Sequence, residues 1–179
     1  KNVISGGQES MSLAPHSIFY RNNKKISEKH LVDTMINDGL IDAFNNYHMG
    51  VTAENVAKKF NISRDEQDDF ALNSQKKTEA AIGINRFDEE LIKINRNGGI
   101  IDKDEHPRKG ILKSDLQKLK TVFLNNGTVT PGNSSGINDG AAALLLTTLK
   151  EAKKKSIDPL AKIISWASVG VDPALMGLG

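Results

Sequence analysis

The amino-acid sequence predicts an α/β fold, on three observations. Segments 52–60 and 63–83 each begin with a residue suited to cap a helix N-terminus and then carry apolar residues at helical spacing. Segments 141–146 and 161–171 are apolar runs with the length and composition of buried strands. Elements of both kinds occur along one chain, which is the pattern of an α/β protein.

Composition narrows the classes of function. The 179 residues suffice for one ordinary domain or two small ones with a buried core. Hydrophobic residues make up 38% and charged residues 26%, a balance typical of a folded chain. The 24 basic and 22 acidic residues nearly cancel, so no nucleic-acid partner is expected. The chain has no cysteine, which excludes disulfides, thiolate metal sites and a cysteine nucleophile supplied by this chain.

Neither a secretory signal nor a membrane span is predicted. Residues 1–12 lack a basic start followed by an apolar core, and no run approaches the roughly 20 apolar residues of a span. We therefore expect a protein of the cytosol or of an organelle matrix that binds no membrane, and we take a cytoplasmic location as the prediction. Both ends are expected to be cuts, because Val3 and Ile4 read as a strand entered in its middle and the last residues read as a loop.

Two helices are predicted before residue 61. Segment 27–38 places apolar residues at helical spacing, with Ser27 as its N-cap and Gly39 as its stop. The second helix is expected to begin at Thr52, whose hydroxyl can cap the segment TAENVAKKF.

A third helix follows Ser63, because Ser63 and Glu66 have the spacing of a capping box. It is expected to continue to Gly83. A charged, solvent-exposed helix is predicted over 150–155.

Strands are predicted at 91–94, 128–130, 141–146 and 161–171. The first precedes the turn residues Gly98 and Gly99, within a polar excursion that extends to residue 113. Segment 141–146 is expected to be buried on both faces, although its pattern also fits a buried helix.

Two short phrases are candidates for ligand binding. HMG at 48–50 precedes a helix N-terminus, where a side chain and backbone amides can face an anionic or carbonyl-bearing ligand. TPGNSSG at 130–136 combines glycines with small residues, which allow a ligand to approach closely but also form any tight loop.

In this order, the phrases resemble the thiolase family. The matching stretches are GGQESMSLAPH at 6–16, DGLIDAFNNYHMGVTAENVAKKF at 38–60, SRDEQDDFA at 63–71, GNSSGINDGAAALLL at 132–146 and SWASVGVDPALMG at 165–177. The resemblance covers nearly the whole chain, and only the region 95–126 is loosely matched. The chain resembles the middle portion of the longer thiolase subunit, with a partial thiolase-like fold.

The resemblance implies Claisen chemistry on coenzyme A thioesters. The expected activity is that of an acetyl-CoA C-acetyltransferase, condensing two acetyl-CoA molecules or running the reverse thiolysis. The family's nucleophilic cysteine would precede Lys1, and its second cysteine, histidine and asparagine would follow Gly179. We therefore expect no catalytic residue in this chain, which should be inactive alone. No metal and no tightly bound cofactor are expected, and coenzyme A or acyl-CoA enters as substrate.

The resemblance also implies a CoA-binding site in this chain. Its predicted residues are Leu40, His48, Met49, Arg108, Pro131, Ser134 and Ser135. His48 and Met49 would line the pocket of the pantetheine arm and thioester, with Leu40 packing nearby. Ser135 resembles the family serine that hydrogen-bonds this arm.

Three of these assignments need comment. Pro131 and Ser134 stand where the family has small residues beside the pantetheine arm, so both depart from its pattern. Arg108 aligns with a basic residue near the nucleotide phosphates, and a guanidinium pairs well with phosphate.

The histidine of HMG resembles the short-chain, acetoacetyl-CoA type within the family. One alternative is a longer-chain 3-ketoacyl-CoA thiolase. Another is a non-catalytic CoA-binding or scaffold polypeptide.

The resemblance implies a domain division and an assembly. Residues 1–10 and 138–158 would belong to the N-terminal core domain, 11–137 to the loop domain that binds CoA, and 159–179 to the start of the C-terminal core domain. Segment 11–20 begins an excursion that joins dimers in this family. The expected full-length assembly is a homotetramer.

Overall fold

The computed structural model describes residues 1–18, 31–96 and 98–179. These residues form two compact units. The first contains residues 1–41, 137–172 and 179, and the second contains 42–136 and 173–178. Each unit therefore consists of segments that are distant in sequence.

A two-stranded antiparallel sheet dominates the first unit. Strand β1 (Asn2–Ser10) pairs with β6 (Asp139–Thr147) along its whole length, with Asn2 opposite Thr147 and Ser10 opposite Asp139. The predicted strand at 141–146 is confirmed, but its predicted burial is wrong, because every residue of both strands is exposed. Among the described residues, no second layer covers this sheet.

The segment predicted as a helix over 27–38 does not form one continuous helix over its described residues, 31–38. Strand β2 (His16–Ser17) pairs with β3 (Val32–Asp33), and a π-helix spans Met35–Leu40. The Asp33 carboxylate accepts from the Met35 amide at 2.9 Å, so the helix begins only after the strand. The predicted N-cap, Ser27, lies outside the described residues.

The remainder of the first unit contains one helix and one unpaired apolar segment. Helix α4 (Leu149–Lys154) confirms the charged helix and is capped by Thr148. The predicted strand at 161–171 is wrong, since no described residue forms a ladder with this segment. Trp166, within it, is 89% exposed.

Two helices form the frame of the second unit. Helix α1 covers Met49–Phe60 and helix α2 covers Arg64–Gly83. The predicted capping box is confirmed, because the Ser63 hydroxyl accepts from the Glu66 amide while the Glu66 carboxylate accepts from the Ser63 amide. The 3₁₀ helix Pro173–Leu178 lies on α1.

Short elements complete the second unit. Strand β4 (Ile94–Arg96) pairs with β5 (Gly99–Ile101), so the strand predicted at 91–94 begins only at its last residue. Helix α3 (Lys113–Gln117) packs on α2. The strand predicted at 128–130 is a loop, because its amides are bonded to the side chains of Glu54 and Asn133.

No helix among the described residues has the length and apolar character needed to cross a membrane.

Candidate functional site

His48 is the N-cap of α1. Its backbone is extended, with φ −62° and ψ 140°, and its Nδ1 accepts from the Gly50 amide at 2.9 Å. The predicted helix start at Thr52 is wrong, because the imidazole of His48, and not the Thr52 hydroxyl, caps the helix. Thr52 lies in the first turn, where its buried hydroxyl donates to the Met49 carbonyl at 2.6 Å.

The capping bond defines how His48 can act on a ligand. Because Nδ1 accepts from an amide, a neutral imidazole in this position carries its proton on Nε2. Nε2 has no hydrogen-bond partner among the described residues. It is therefore available to donate to an oxygen of a ligand.

The ring of Phe123 stacks on the His48 imidazole. The ring centroids are 4.5 Å apart and the planes differ by 24°. Gly50 makes this contact possible, since a Cβ at that position would lie 2.3 Å from the Phe123 ring. Phe123 was not among the predicted site residues. It falls in the loosely matched region 95–126, and nothing in its local pattern signals a partner 75 positions away.

A hydrogen-bonded turn leads the chain into His48. The Asp42 carboxylate accepts from the Phe44 amide at 3.0 Å and from the Asn45 side chain, and the Asp42 amide donates to the Tyr47 carbonyl at 2.8 Å. The Phe44 amide, followed by the Asn45 amide group, lowers the pKa of Asp42. The turn therefore favours an ionised Asp42 and fixes the approach to α1.

The loop 128–136 is attached to α1 through Glu54. This buried carboxylate accepts from the Thr128 amide at 2.8 Å, from the Thr128 hydroxyl at 2.8 Å and from the Val129 amide at 2.8 Å. Gly127 permits the approach, because a Cβ there would lie 2.3 Å from a Glu54 carboxylate oxygen. Sequence reasoning missed Glu54, which reads as an ordinary helix residue.

A second buried carboxylate anchors the same loop to α2. Asp68 is fully buried and accepts from Arg64 Nε at 2.7 Å and from Asn133 Nδ2 at 3.0 Å. Asn133 closes the loop on itself, since its Oδ1 accepts from the Thr130 amide at 2.8 Å. Two helices thus hold one loop through charged and amide groups.

The predicted residues Pro131, Ser134 and Ser135 all lie on this loop, residues 128–136, which we call the serine loop. They differ in their surroundings. The Ser134 hydroxyl donates to the Thr130 carbonyl at 2.7 Å, so it serves the loop itself. The Ser135 side chain is exposed and makes no hydrogen bond to a described residue. Pro131 is exposed at the start of the turn. Of the two serines, Ser135 is therefore the better candidate for a hydrogen bond to a ligand.

The structure connects the other predicted residues, Met49, Arg108 and Leu40, less closely to His48 and the serine loop. Met49 follows His48 in the chain, is the first residue of α1 and is half-buried. Arg108 is exposed, and its backbone amide donates to Gln75 Oε1 of α2 at 2.9 Å. Leu40 ends the π-helix of the first unit and is half-buried. The described hydrogen bonds join both His48 and the serine loop to α1, whereas the bond described for Arg108 runs to α2.

The ionised pairs of α2 and α3 lie apart from these residues. Lys113 contacts Asp65 at 2.8 Å and Asp69 at 2.7 Å. The hydrogen bond from Lys113 lowers the pKa of Asp65, and Asp65, followed by Asp69, raises the pKa of Lys113. Within the described residues, no group of three His, Asp or Glu side chains could hold a metal ion.

An open recess of about 550 Å³ lies between α1 and the segment 124–128. Glu54, Lys58 and Thr128 line it, and it contains none of the predicted CoA-binding residues. Glu54 and Thr128, which bond to each other, both line this recess. We therefore interpret the recess as the solvent-facing side of the contact between α1 and the serine loop.

The chain belongs to the thiolase family. Residues 1–150 match the model of the thiolase N-terminal domain. The fold agrees, since the chain resembles solved thiolase structures over nearly its full length. It aligns to the Bacillus anthracis acetyl-CoA acetyltransferase with a TM-score of 0.88 and 38% identity, covering 99% of this chain and 46% of that one. A human mitochondrial 3-ketoacyl-CoA thiolase, solved in complex with CoA, gives a TM-score of 0.87 and 37% identity, covering 99% and 45%.

Curated relatives with similar sequences are also named as acetyl-CoA acetyltransferases. An acetyl-CoA acetyltransferase of Rhizobium meliloti (strain 1021) is 51% identical over 183 residues, which include 100% of this chain and 47% of that protein. A cytosolic acetyl-CoA acetyltransferase of Rattus norvegicus is 47% identical over 183 residues, covering 99% and 46%. The chain thus spans about half the length of the curated relatives it matches.

Proposed function

We propose that the complete protein carrying this chain is an acetyl-CoA C-acetyltransferase. It condenses two acetyl-CoA molecules to acetoacetyl-CoA and free CoA, or cleaves acetoacetyl-CoA with CoA in the reverse direction. The observation that carries this proposal is the 51% identity, over the whole chain, to a protein named for that activity. The chain itself contributes substrate-binding residues to the enzyme.

The geometry supports a binding role for the region around His48. Its Nε2 can donate to a carbonyl oxygen of the pantetheine arm or thioester, while Met49 and Phe123 offer apolar surface to the same ligand. The stack with Phe123 and the Gly50 amide hold the imidazole in one orientation. A pre-oriented donor binds without the entropy cost of ordering it.

The serine loop supplies the second part of the proposed site. Ser135 presents a hydroxyl that is not used within the described structure and can hydrogen-bond the pantetheine amides. Ser134 and Pro131 shape the loop beside it. Arg108 and Leu40 remain proposed contacts, to the nucleotide phosphates and to the pantetheine arm respectively.

The covalent chemistry requires residues that this chain does not have. A thiolase forms an acyl-enzyme on a thiolate, and no cysteine occurs among the 179 residues. In the proposal, both reactive cysteines and the oxyanion-hole residues belong to other parts of the complete protein. Binding without bond formation is the role of the residues described here.

A longer-chain 3-ketoacyl-CoA thiolase is the second candidate, favoured by the likeness to the human mitochondrial enzyme of that name. The acetyl-CoA assignment is preferred because it is supported by both the relatives' names and the histidine of the HMG phrase. A non-catalytic CoA-binding or scaffold polypeptide is the third.

The proposal includes location and assembly. The relatives of rat and mouse are named cytosolic, which supports a cytoplasmic protein. A homotetramer is proposed for the full-length protein on the resemblance of segment 11–20. The proposed domains are 1–10 with 138–158, 11–137, and 159–179.

Thiolysis assays on the complete protein test this function. Acetoacetyl-CoA should be cleaved in a CoA-dependent reaction with a higher kcat/KM than 3-ketoacyl-CoA substrates of longer chain. A preference for the longer substrates would favour the second candidate. CoA binding without turnover, by a native protein of only 179 residues, would favour the third.

A further inference from the structure

Glu54 joins two parts of the proposed CoA site that are distant in sequence. It lies on α1, whose N-terminus carries His48 and Met49. Its carboxylate binds Thr128 and Val129, which begin the loop that carries Ser134 and Ser135. One side chain therefore connects the histidine end of the site to the serine loop.

The buried Glu54 carboxylate is bound by neutral donors among the described residues. It is 6% exposed, and its partners are backbone amides and a hydroxyl. No cation pairs with it among the described residues. Burying a charge without a counter-ion is costly unless hydrogen bonds replace the lost hydration. Moving Thr128 or Val129 away from Glu54 would remove these bonds and is therefore unfavourable. Hydrogen bonds restrict direction as well as distance, so these bonds fix the orientation of Thr128 and Val129 relative to α1.

Hydrogen bonds within the loop connect the segment held by Glu54 to the two serines. Asn133 bonds both to Asp68 and to the Thr130 amide, and the Ser134 hydroxyl bonds to the Thr130 carbonyl. These bonds cross-link the loop from Thr128 to Ser134, next to Ser135 in the chain. A change at Thr128 is therefore expected to shift Ser135 relative to α1.

We infer that Glu54 is a positioning residue for acyl-CoA binding, which sets the distance between the serine loop and the His48 end of α1. This inference rests on the proposed function, since it concerns the same site. Glu54 itself need not touch the substrate.

The test uses Glu54→Gln in the complete protein. Glutamine keeps the size of the side chain, but it turns an NH2 group toward donors that need an acceptor. The dissociation constant for CoA, measured by calorimetry, should rise about tenfold, as expected for the loss of charged hydrogen bonds. KM for acetoacetyl-CoA should rise by a similar factor, while kcat stays within about twofold.

Glu66→Gln is the matched control. It also replaces a carboxylate that accepts backbone and hydroxyl donors, but those donors belong to the capping box of α2. It should lower Tm and leave both CoA affinity and KM unchanged. An equal loss of affinity in the two variants would overturn the positioning role, because general destabilisation would then explain both.

Thr128→Val provides a second route if Glu54→Gln does not fold. It removes only the hydroxyl that donates to Glu54 and accepts from Gln67. CoA affinity should fall by a few-fold. An unchanged CoA affinity in whichever variant folds would contradict the inference.

Different results would overturn the proposed acetyltransferase activity and the positioning role of Glu54. A wild-type protein that binds CoA but does not cleave acetoacetyl-CoA removes the proposed function, while the affinity comparison still decides the role of Glu54. An active wild type with unchanged affinity in the variants removes only the positioning role. A wild type that does not bind CoA overturns both.

Discussion

The imidazole of His48 stacks on the ring of Phe123 at a centroid distance of 4.5 Å, although 75 positions separate them in the chain. The same imidazole caps α1 through Nδ1. His48 is thus held on its face and at one nitrogen, and its other nitrogen points away from the bond to Gly50. This arrangement is what the proposed CoA site requires of it.

Replacing Gly50 should disturb this stack. In Gly50→Ala the new Cβ would lie 2.3 Å from the Phe123 ring, so the ring must move off the imidazole. We expect a loss of about 1–3 kcal/mol in the free energy of unfolding, as for other overpacked cores. Thermal melts measure this. Gly83→Ala is the control, because nothing lies within 4 Å of its Cβ position and alanine is favoured over glycine in a helix, so Tm should not fall.

A double variant identifies the cause. If the ring clash is responsible, Phe123→Leu should restore part of the stability lost in Gly50→Ala, giving a non-additive cycle. Strictly additive effects would mean that Gly50 acts through something other than Phe123.

The two neighbouring serines should behave differently. Ser135→Ala should raise KM for acetoacetyl-CoA several-fold and leave Tm unchanged, because its hydroxyl has no partner among the described residues. Ser134→Ala should instead lower stability by about 1 kcal/mol, since it removes the bond to the Thr130 carbonyl. Steady-state kinetics and melts on both variants check this pattern. A reversed pattern would move the ligand contact to Ser134.

Asp68 is expected to be a large contributor to stability. Asp68→Asn removes the charge that accepts from Arg64 inside the protein and should cost about 2–3 kcal/mol. The cost falls below the range for a fully buried pair because the Arg64 side chain is 25% exposed and also donates to the Leu116 carbonyl. Urea unfolding measures it. The neighbouring variant Asp69→Asn, in a half-exposed pair with Lys113, should have a much smaller effect.

The pair of Lys113 with Asp65 should make stability depend on pH. The pKa of Asp65 is lowered by Lys113, so its contribution is present above the ordinary value of 3.8 and is lost as pH falls through the lowered pKa. The pKa of Lys113 is raised by Asp65, so its contribution is lost only as pH rises through that raised value.

Lys113→Met tests this dependence. The difference in Tm between wild type and variant should be largest near neutral pH and should shrink in acid, as Asp65 becomes protonated. Added salt should also reduce it, because the pair is largely exposed. A difference that is the same in acid and at neutral pH would show that Lys113 stabilises through packing of its alkyl chain instead.

Local signals in the sequence were sufficient for some elements. The capping box of Ser63 and Glu66 depends on residues three apart, and the helix formed where predicted. The apolar run 141–146 forms a strand, because its composition favours pairing wherever a neighbour is present. HMG and TPGNSSG coincide with the N-cap of α1 and with the loop held by Glu54 and Asp68, and their role in binding CoA stays a prediction.

Other features depended on contacts that are distant in sequence. The role of Glu54 is set by Thr128, and the position of His48 is set partly by Phe123, so neither could be read from local spacing. The start of α1 was misplaced because an imidazole, and not the Thr52 hydroxyl, caps the helix. The segment 161–171 has the composition of a strand, but pairing needs a neighbouring strand, and no described residue provides one.

Hydrogen exchange of the complete protein, with and without CoA, tests most directly whether this chain carries the CoA-binding residues. CoA should slow exchange in peptides that cover His48 to Val51 and Thr128 to Gly136, because bound ligand shields the end of α1 and restricts the loop. Peptides from the strand pair β1 and β6 should be unaffected. Protection confined to segments outside this chain, with no change at His48 or on the serine loop, would contradict the account.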